Sequence, residues 1–376
     1  MTRAPRLASP CSILLALCLA PTAGAEPHLS ARTGLRCGRC HTGPTGGGKR
    51  TPYGALYSQS SLSLGAASPA TWPVERDGGG PWVVTALATG EVTDWLGVGA
   101  DLRVANTTTF LDERRNSFDA TQGTIYLELR PWPDRLVLYV DEEIAAGGAR
   151  NREAWAMIRG PWSTYLRGGR FFAPFGLRIL DDAAYTRRAT GVTFASPDLG
   201  LELGLELGPL LAAAAVTNGT FAGGDTDTLK ALWGHVELNF DWLRVGVSGA
   251  CNPTEAGCRG LLGGFAALRL GRVVLQGELD MIAERPPESG RWAYGLAGLV
   301  EADLLITKGL SLRAAWDFHE ADVQLRQDRR QRFRFGVDLF PMRMVEAKIY
   351  YVIRQSETSA PEDAADLLEV MLHVYL

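Results

Sequence analysis

From Trp82 to Leu376 the chain alternates apolar and polar residues one for one, in segments of about ten residues broken by turn-forming residues. Within Met344–Gln355, Val345, Ala347, Ile349, Tyr351 and Ile353 fall on one parity, and Glu346, Lys348, Tyr350 and Arg354 on the other. Leu310, Leu312, Ala314, Trp316 and Phe318 oppose Ser311, Arg313, Asp317 and His319 in the same way. Phe333, Phe335, Val337 and Leu339 oppose Arg332, Arg334 and Asp338. A period of two puts each set on its own face of a β-strand. One face asks for an apolar medium and the other for water. A closed soluble barrel of this size would point its apolar faces into an interior that side chains cannot fill. A barrel in lipid turns them outward.

The connections support that choice. Tight turns fall at Trp132–Arg135, Gly208–Pro209, Asp241–Trp242, Gly271–Arg272, Lys308–Gly309 and Pro341–Met342. Between them lie longer polar loops at 110–120, 146–151, 219–229, 251–259, 286–291, 321–330 and 356–365. Short and long connections alternate, as they do in barrels with tight periplasmic turns and long outer loops. The expected fold is therefore all-β, an outer-membrane antiparallel β-barrel of about 16 strands, within roughly 14 to 18. Trp82–Val92 reads as one further strand-like stretch whose place in that count stays open.

Hydrophobic residues make up 46% of the chain, yet mean hydropathy is -0.02, the signature of finely interleaved polarity. A net charge of -4 gives no reason to expect a nucleic acid partner. Arg3 and Arg6, the apolar run Ile13–Ala20 and the small residues Ala23-Gly24-Ala25 read as a signal peptide over residues 1–25. Leu17 before Cys18 weighs against a lipoprotein anchor. Beyond residue 25 no apolar run reaches the roughly 20 residues a membrane-spanning helix needs. The expected organisation is a signal peptide (1–25), a Gly/Ser/Pro-rich segment and linker (26–80) and a transmembrane barrel (81–376) in the outer-membrane bilayer.

The sharpest motif is Cys37-Gly38-Arg39-Cys40-His41. Cys-x-x-Cys-His is the attachment sequence for one covalent c-type haem, both thiols forming thioethers and the histidine ligating the iron. A bare Cys-x-x-Cys could instead be a disulfide or redox pair, though those usually open a helix of an α/β fold. A zinc site would need further ligands, and no second cysteine pair lies nearby. Cys37, Cys40 and His41 are thus the expected haem residues. For the distal position His28 ranks first, His373 and His235 follow as weaker candidates, then Met371, with an open sixth position as the alternative; His319 lies near the outer rim. Cys251 and Cys258 bracket a short polar stretch and are expected to form a loop disulfide worth a few kcal/mol at most.

Two resemblances carry the reading further. Leu166–Arg178 (LRGGRFFAPFGLR), with Ala213–Thr220 ending in Asn218-Gly219, resembles a stretch of phosphate- and polyphosphate-type porins, which implies a 16-stranded barrel. The continuation Thr42–Gly54, rich in glycine, is similar to the tail of monohaem segments fused to barrels. The whole architecture resembles the fused monohaem cytochrome–porins of iron-oxidising bacteria. That resemblance implies outer-membrane electron transfer by an electron-transfer protein rather than a substrate-converting enzyme. Its expected partners are a periplasmic c-type cytochrome or other redox carrier and extracellular iron or another redox species. The alternative is a general diffusion porin whose haem segment acts as plug, sensor or docking element. Three glycines after the motif are expected to let backbone approach the porphyrin.

Overall fold

The computed structural model describes residues 26–65, 88–111, 114–145, 148–220, 225, 228–254, 257–285, 290–325, 328–357 and 364–376, with backbone alone at 254, 257 and 258. The signal-peptide reading, the linker at 66–80 and residues 81–87 lie outside them. Each strand from β2 (Leu96–Phe110) to β17 (Asp366–Tyr375) pairs antiparallel with its sequence neighbours. The last then pairs with the first, from Asp366 opposite Phe110 to Tyr375 opposite Asp101. The result is a closed 16-stranded antiparallel barrel. Glu91–Thr93 forms a short β1 against β2, so the extra stretch contributes only a three-residue stub among the described residues.

The barrel is inside-out relative to a soluble protein. On β7 (Asp198–Leu207), Leu199, Leu201 and Leu203 are 54%, 59% and 60% exposed, whereas Glu202 between them is wholly buried. Register explains how a buried carboxylate is tolerated. Glu202 lies directly opposite Arg167 on β6 (Thr164–Phe171), and their charges meet at 2.8 Å. Tyr165 adds its hydroxyl to the same carboxylate at 2.8 Å. Removing one member of such a pair would leave an uncompensated buried charge.

Two loops differ from expectation. At 110–120 and 251–259 most residues belong to strands, because β3 starts at Arg115 and β10 (Leu243–Thr254) runs into β11 (Gly257–Leu270). Cys251 therefore stands on a paired strand opposite Gly260, and Cys258 faces Pro253. Cys251 is disulfide-bonded; the Cys258 side chain lies outside the described residues.

The loop between β6 and β7, residues 172–197, folds into the lumen. Its apolar run Phe172-Ala173-Pro174-Phe175-Gly176-Leu177 is buried. Such a run has no place on a watered rim. Ser248 and Glu278 on the wall accept its backbone amides of Gly176 and Leu177 at 2.9 and 3.0 Å. Its helix α4 (Tyr185–Thr190) docks through the Tyr185 amide on Asp317 at 3.2 Å.

Leu201→Arg should cost about 2–4 kcal/mol of folding free energy in vesicles, the scale for arginine in the lipid-facing band. Denaturant titration of the reconstituted barrel measures it. An unchanged midpoint would mean that this face does not meet lipid.

Candidate cofactor site in the lumen

Residues 26–65 lie inside the barrel at its short-turn end. Helix α1 (Pro27–Thr33) begins with proline at its first turn and stops at Gly34, whose φ of 70° ends the helix in the left-handed region. Its Ala31 packs on Ala267 and Val274 of the wall. The Arg32 carbonyl accepts from Arg269 at 2.8 Å, and the Leu64 amide donates to the Phe340 carbonyl at 2.9 Å. Both wall residues lie next to short turns.

Cys37–Cys40 form a single helical turn, α2, closed by the His41 amide donating to the Cys37 carbonyl at 2.9 Å. That turn carries both sulfurs and the imidazole. The chain then doubles back: the Thr42 amide donates to the Lys49 carbonyl at 3.0 Å and the Thr51 amide to the Cys40 carbonyl at 2.9 Å. The reversal uses Gly46, Gly47 and Gly48, all at positive φ. They make a hairpin against the wall, where Gly48 packs on the Tyr139 hydroxyl and Lys49 donates its amide to that oxygen at 2.9 Å. Helix α3 (Pro52–Tyr57), capped by Thr51, then lies against the Cys40 carbonyl, which a side chain on Gly54 would overlap.

Charge fixes the segment in place. The Lys49 ammonium reaches Glu91 at 2.8 Å and Glu128 at 3.0 Å, Arg50 reaches Asp101 at 3.4 Å, and Arg32 pairs with Asp303. Glu26 pairs with Lys348 on β16 (Val345–Ser356). The inward loop joins in, Arg178 donating to Thr45 Oγ1 at 2.8 Å.

Cys37, Cys40 and His41 all line one partly open cavity between segment, wall and the tip of the inward loop. Leu29, Leu35, Leu62, Leu180 and Phe340 give it apolar surface, Arg36, Arg50 and Arg103 bring positive charge, and Glu26 and Glu346 bring negative charge. Both cysteines are free thiols. Burial pushes the Cys37 thiol up, and burial with the neighbouring Cys37 pushes Cys40 to about 11. Burial, then the Arg50 charge, lowers His41 to about 4, so its imidazole is neutral and keeps a lone pair. Its buried Nδ1 has no hydrogen-bond partner. Two neutral thiols, a neutral imidazole, apolar walls and arginines suit an amphipathic macrocycle with carboxylate tails.

The other histidines divide. His28 does not line this cavity; its Nε2 lies 3.6 Å from Glu26 and 3.8 Å from Asp303. His235 lines a small adjoining cavity that also touches Cys37, with Ser248 at 2.9 Å and Glu237 at 3.4 Å from its ring nitrogens. His373 lines the Cys37–Cys40–His41 cavity itself. Met371 is buried on the same strand, and His319 stacks on Tyr185 near the outer end. Arg50 and Arg103 escaped sequence reasoning. The glycine triplet was the usable signal for Arg50, since a turn there sets it across from His41.

No protein-family model and no curated protein matches the chain. Solved structures do. The loop L8 deletion mutant of OmpT, an outer membrane protein of Vibrio cholerae, aligns with a TM-score of 0.57 at 12% identity, over 75% of this chain and 99% of that one. The fold is that of the outer-membrane porins. OmpF of Salmonella typhi, solved with daunomycin, gives 0.56 at 10% identity, over 75% and 97%. The outer membrane channel DcaP of Acinetobacter baumannii gives 0.53 at 10%, over the same shares.

Acid should loosen the segment. Burial alone would raise the Glu26 carboxyl, but Lys348, with His28 and Arg313, outweighs it and lowers the group from 4.5 to about 2. A depressed value stabilises docking above 4.5 and loses that contribution as pH falls towards 2. Conductance of the reconstituted barrel should stay level between pH 8 and pH 5 and rise near pH 3. A level trace down to pH 3 would remove Glu26 as an anchor.

Proposed function

We propose that this chain is an outer-membrane channel protein whose periplasmic mouth is stoppered by its own segment 26–65, and that the stopper carries one covalent c-type haem. The observation that carries the reading is the segment's seat: its charged side chains and backbone bind the wall beside the short turns, the periplasmic side of such barrels. The outward leucines and valines fit a lipid bilayer, and the porin fold fits a channel. Cys37 and Cys40 would hold the haem and His41 would ligate its iron. Arg36 and Arg103, which line the same cavity, would meet its carboxylates. Bound there, such a group supplies a one-electron centre whose potential its ligands and surroundings set.

A second reading rests on the same cavity: electron transfer across the outer membrane. Convergence of both sulfurs and the imidazole on one cavity is what supports it. The partners would be a periplasmic c-type cytochrome or similar carrier and an extracellular donor or acceptor such as iron.

The two readings separate experimentally. In planar bilayers the full chain should conduct weakly, and a barrel lacking residues 26–65 should conduct several-fold more. Equal conductance would overturn the stopper. Protein matured in a haem-attaching host should show a dithionite-reducible spectrum. Reducible haem without electron flux across proteoliposomes would leave the channel reading alone.

A further inference from the structure

We propose that His373, a residue of the barrel wall, is the second axial ligand to the iron of the haem held by Cys37, Cys40 and His41, so that stopper and wall share one metal centre. This rests on the haem reading above. His373 is the one histidine of the described wall strands that lines the cavity of the Cys-x-x-Cys-His turn. It stands on the seam that closes the barrel, register-paired with Glu346 on one side and with Arg103 on the other.

Its surroundings are those of a ligand. Nδ1 meets Glu346 Oε2 at 2.8 Å and Nε2 meets Asp101 Oδ1 at 2.7 Å, with the ring only 2% exposed. A carboxylate at that distance needs an electropositive partner on the nitrogen, either a hydrogen or a metal ion. Metal-bound histidines are held by a carboxylate on their other nitrogen, and Glu346 already occupies that position. Iron on Nε2 would displace only the contact to Asp101. Asp101 would keep Tyr126, whose hydroxyl donates at 2.5 Å, and Arg50 at 3.4 Å. Neither nitrogen of His373 would be orphaned, and no buried carboxylate would lose its last partner.

The other candidates lack this fit. His28 lies off the cavity, and His235 lines the adjoining one instead. Exchange of His373 therefore removes a ligand that neither can replace.

The test uses the full chain matured in a haem-attaching host and compares His373→Gly, His373→Met, His28→Ala and His235→Ala by absorption and electron paramagnetic resonance. The parent, His28→Ala and His235→Ala should show a six-coordinate, low-spin ferric haem with two nitrogen ligands. His373→Gly should turn high-spin and return to low-spin when imidazole is added. His373→Met should raise the midpoint potential, as a thioether does when it replaces a nitrogen ligand. Its spectrum keeps the proposal testable if the glycine variant fails to fold. A bis-nitrogen spectrum retained in His373→Gly or His373→Met overturns the proposal and leaves the haem intact. Absence of covalent haem from Cys37 and Cys40 overturns the haem reading and the proposal together.

Discussion

A strand with one apolar face and one charged face has few homes, and in lipid it has one. Every backbone amide and carbonyl must find a partner where no water can supply it, so the sheet has to close on itself. Pairing of the last strand with the first, Tyr375 opposite Asp101, meets that requirement here. Closure also decides the direction of the side chains. Leu199, Leu201 and Leu203 are left to the lipid, and Glu202 and Arg167 are confined to the interior together. Every later feature inherits an interior crowded with charge.

A crowded interior selects what can fill it. An apolar plug would leave carboxylates such as Glu128 and Asp101 without the cations that the segment brings them, a desolvation cost that apolar contact does not offset. Segment 26–65 instead brings Lys49 to Glu128, Arg50 to Asp101 and Arg32 to Asp303, while Glu26 takes Lys348. These pairs are better regarded as devices of position than of stability, because desolvation consumes much of their attraction. Their effect is to fix where Cys37, Cys40 and His41 lie relative to the wall. The apolar remainder of the segment, Leu29, Leu35 and Leu62, is left facing the cavity.

The barrel was legible because a period of two over many strands leaves one architecture standing. The inward loop was not. Alternation alone does not distinguish a loop that rises into solvent from one that turns inward. Its apolar content was the available sign. Strand ends at 110–120 and 251–259 were misplaced because polar residues suit a strand that projects beyond the bilayer as well as a loop. Cys-x-x-Cys-His was legible as a motif, but its surroundings were not: Arg50, Arg103 and His373 join it only through closure, which brings β2, β17 and the segment together. Sequence spacing makes His28, nine residues before Cys37, a neighbour of the motif, whereas the nearness of His373 to it comes only from the fold.

The two fillings of the lumen meet. Arg178, at the end of the loop's apolar run, donates to Thr45 and to the carbonyl of Gly46 at 3.3 Å, and Leu180 of the same loop walls the cysteine cavity. Burial lowers the Arg178 guanidinium to about 10, yet at neutral pH it keeps its charge, so those contacts persist over the working range. Segment and loop are thus tied to each other through Arg178, and segment, loop and wall all contribute to one cavity. Whatever holds the segment against the seam between β17 and β2 therefore also sets the surroundings of Cys37, Cys40 and His41.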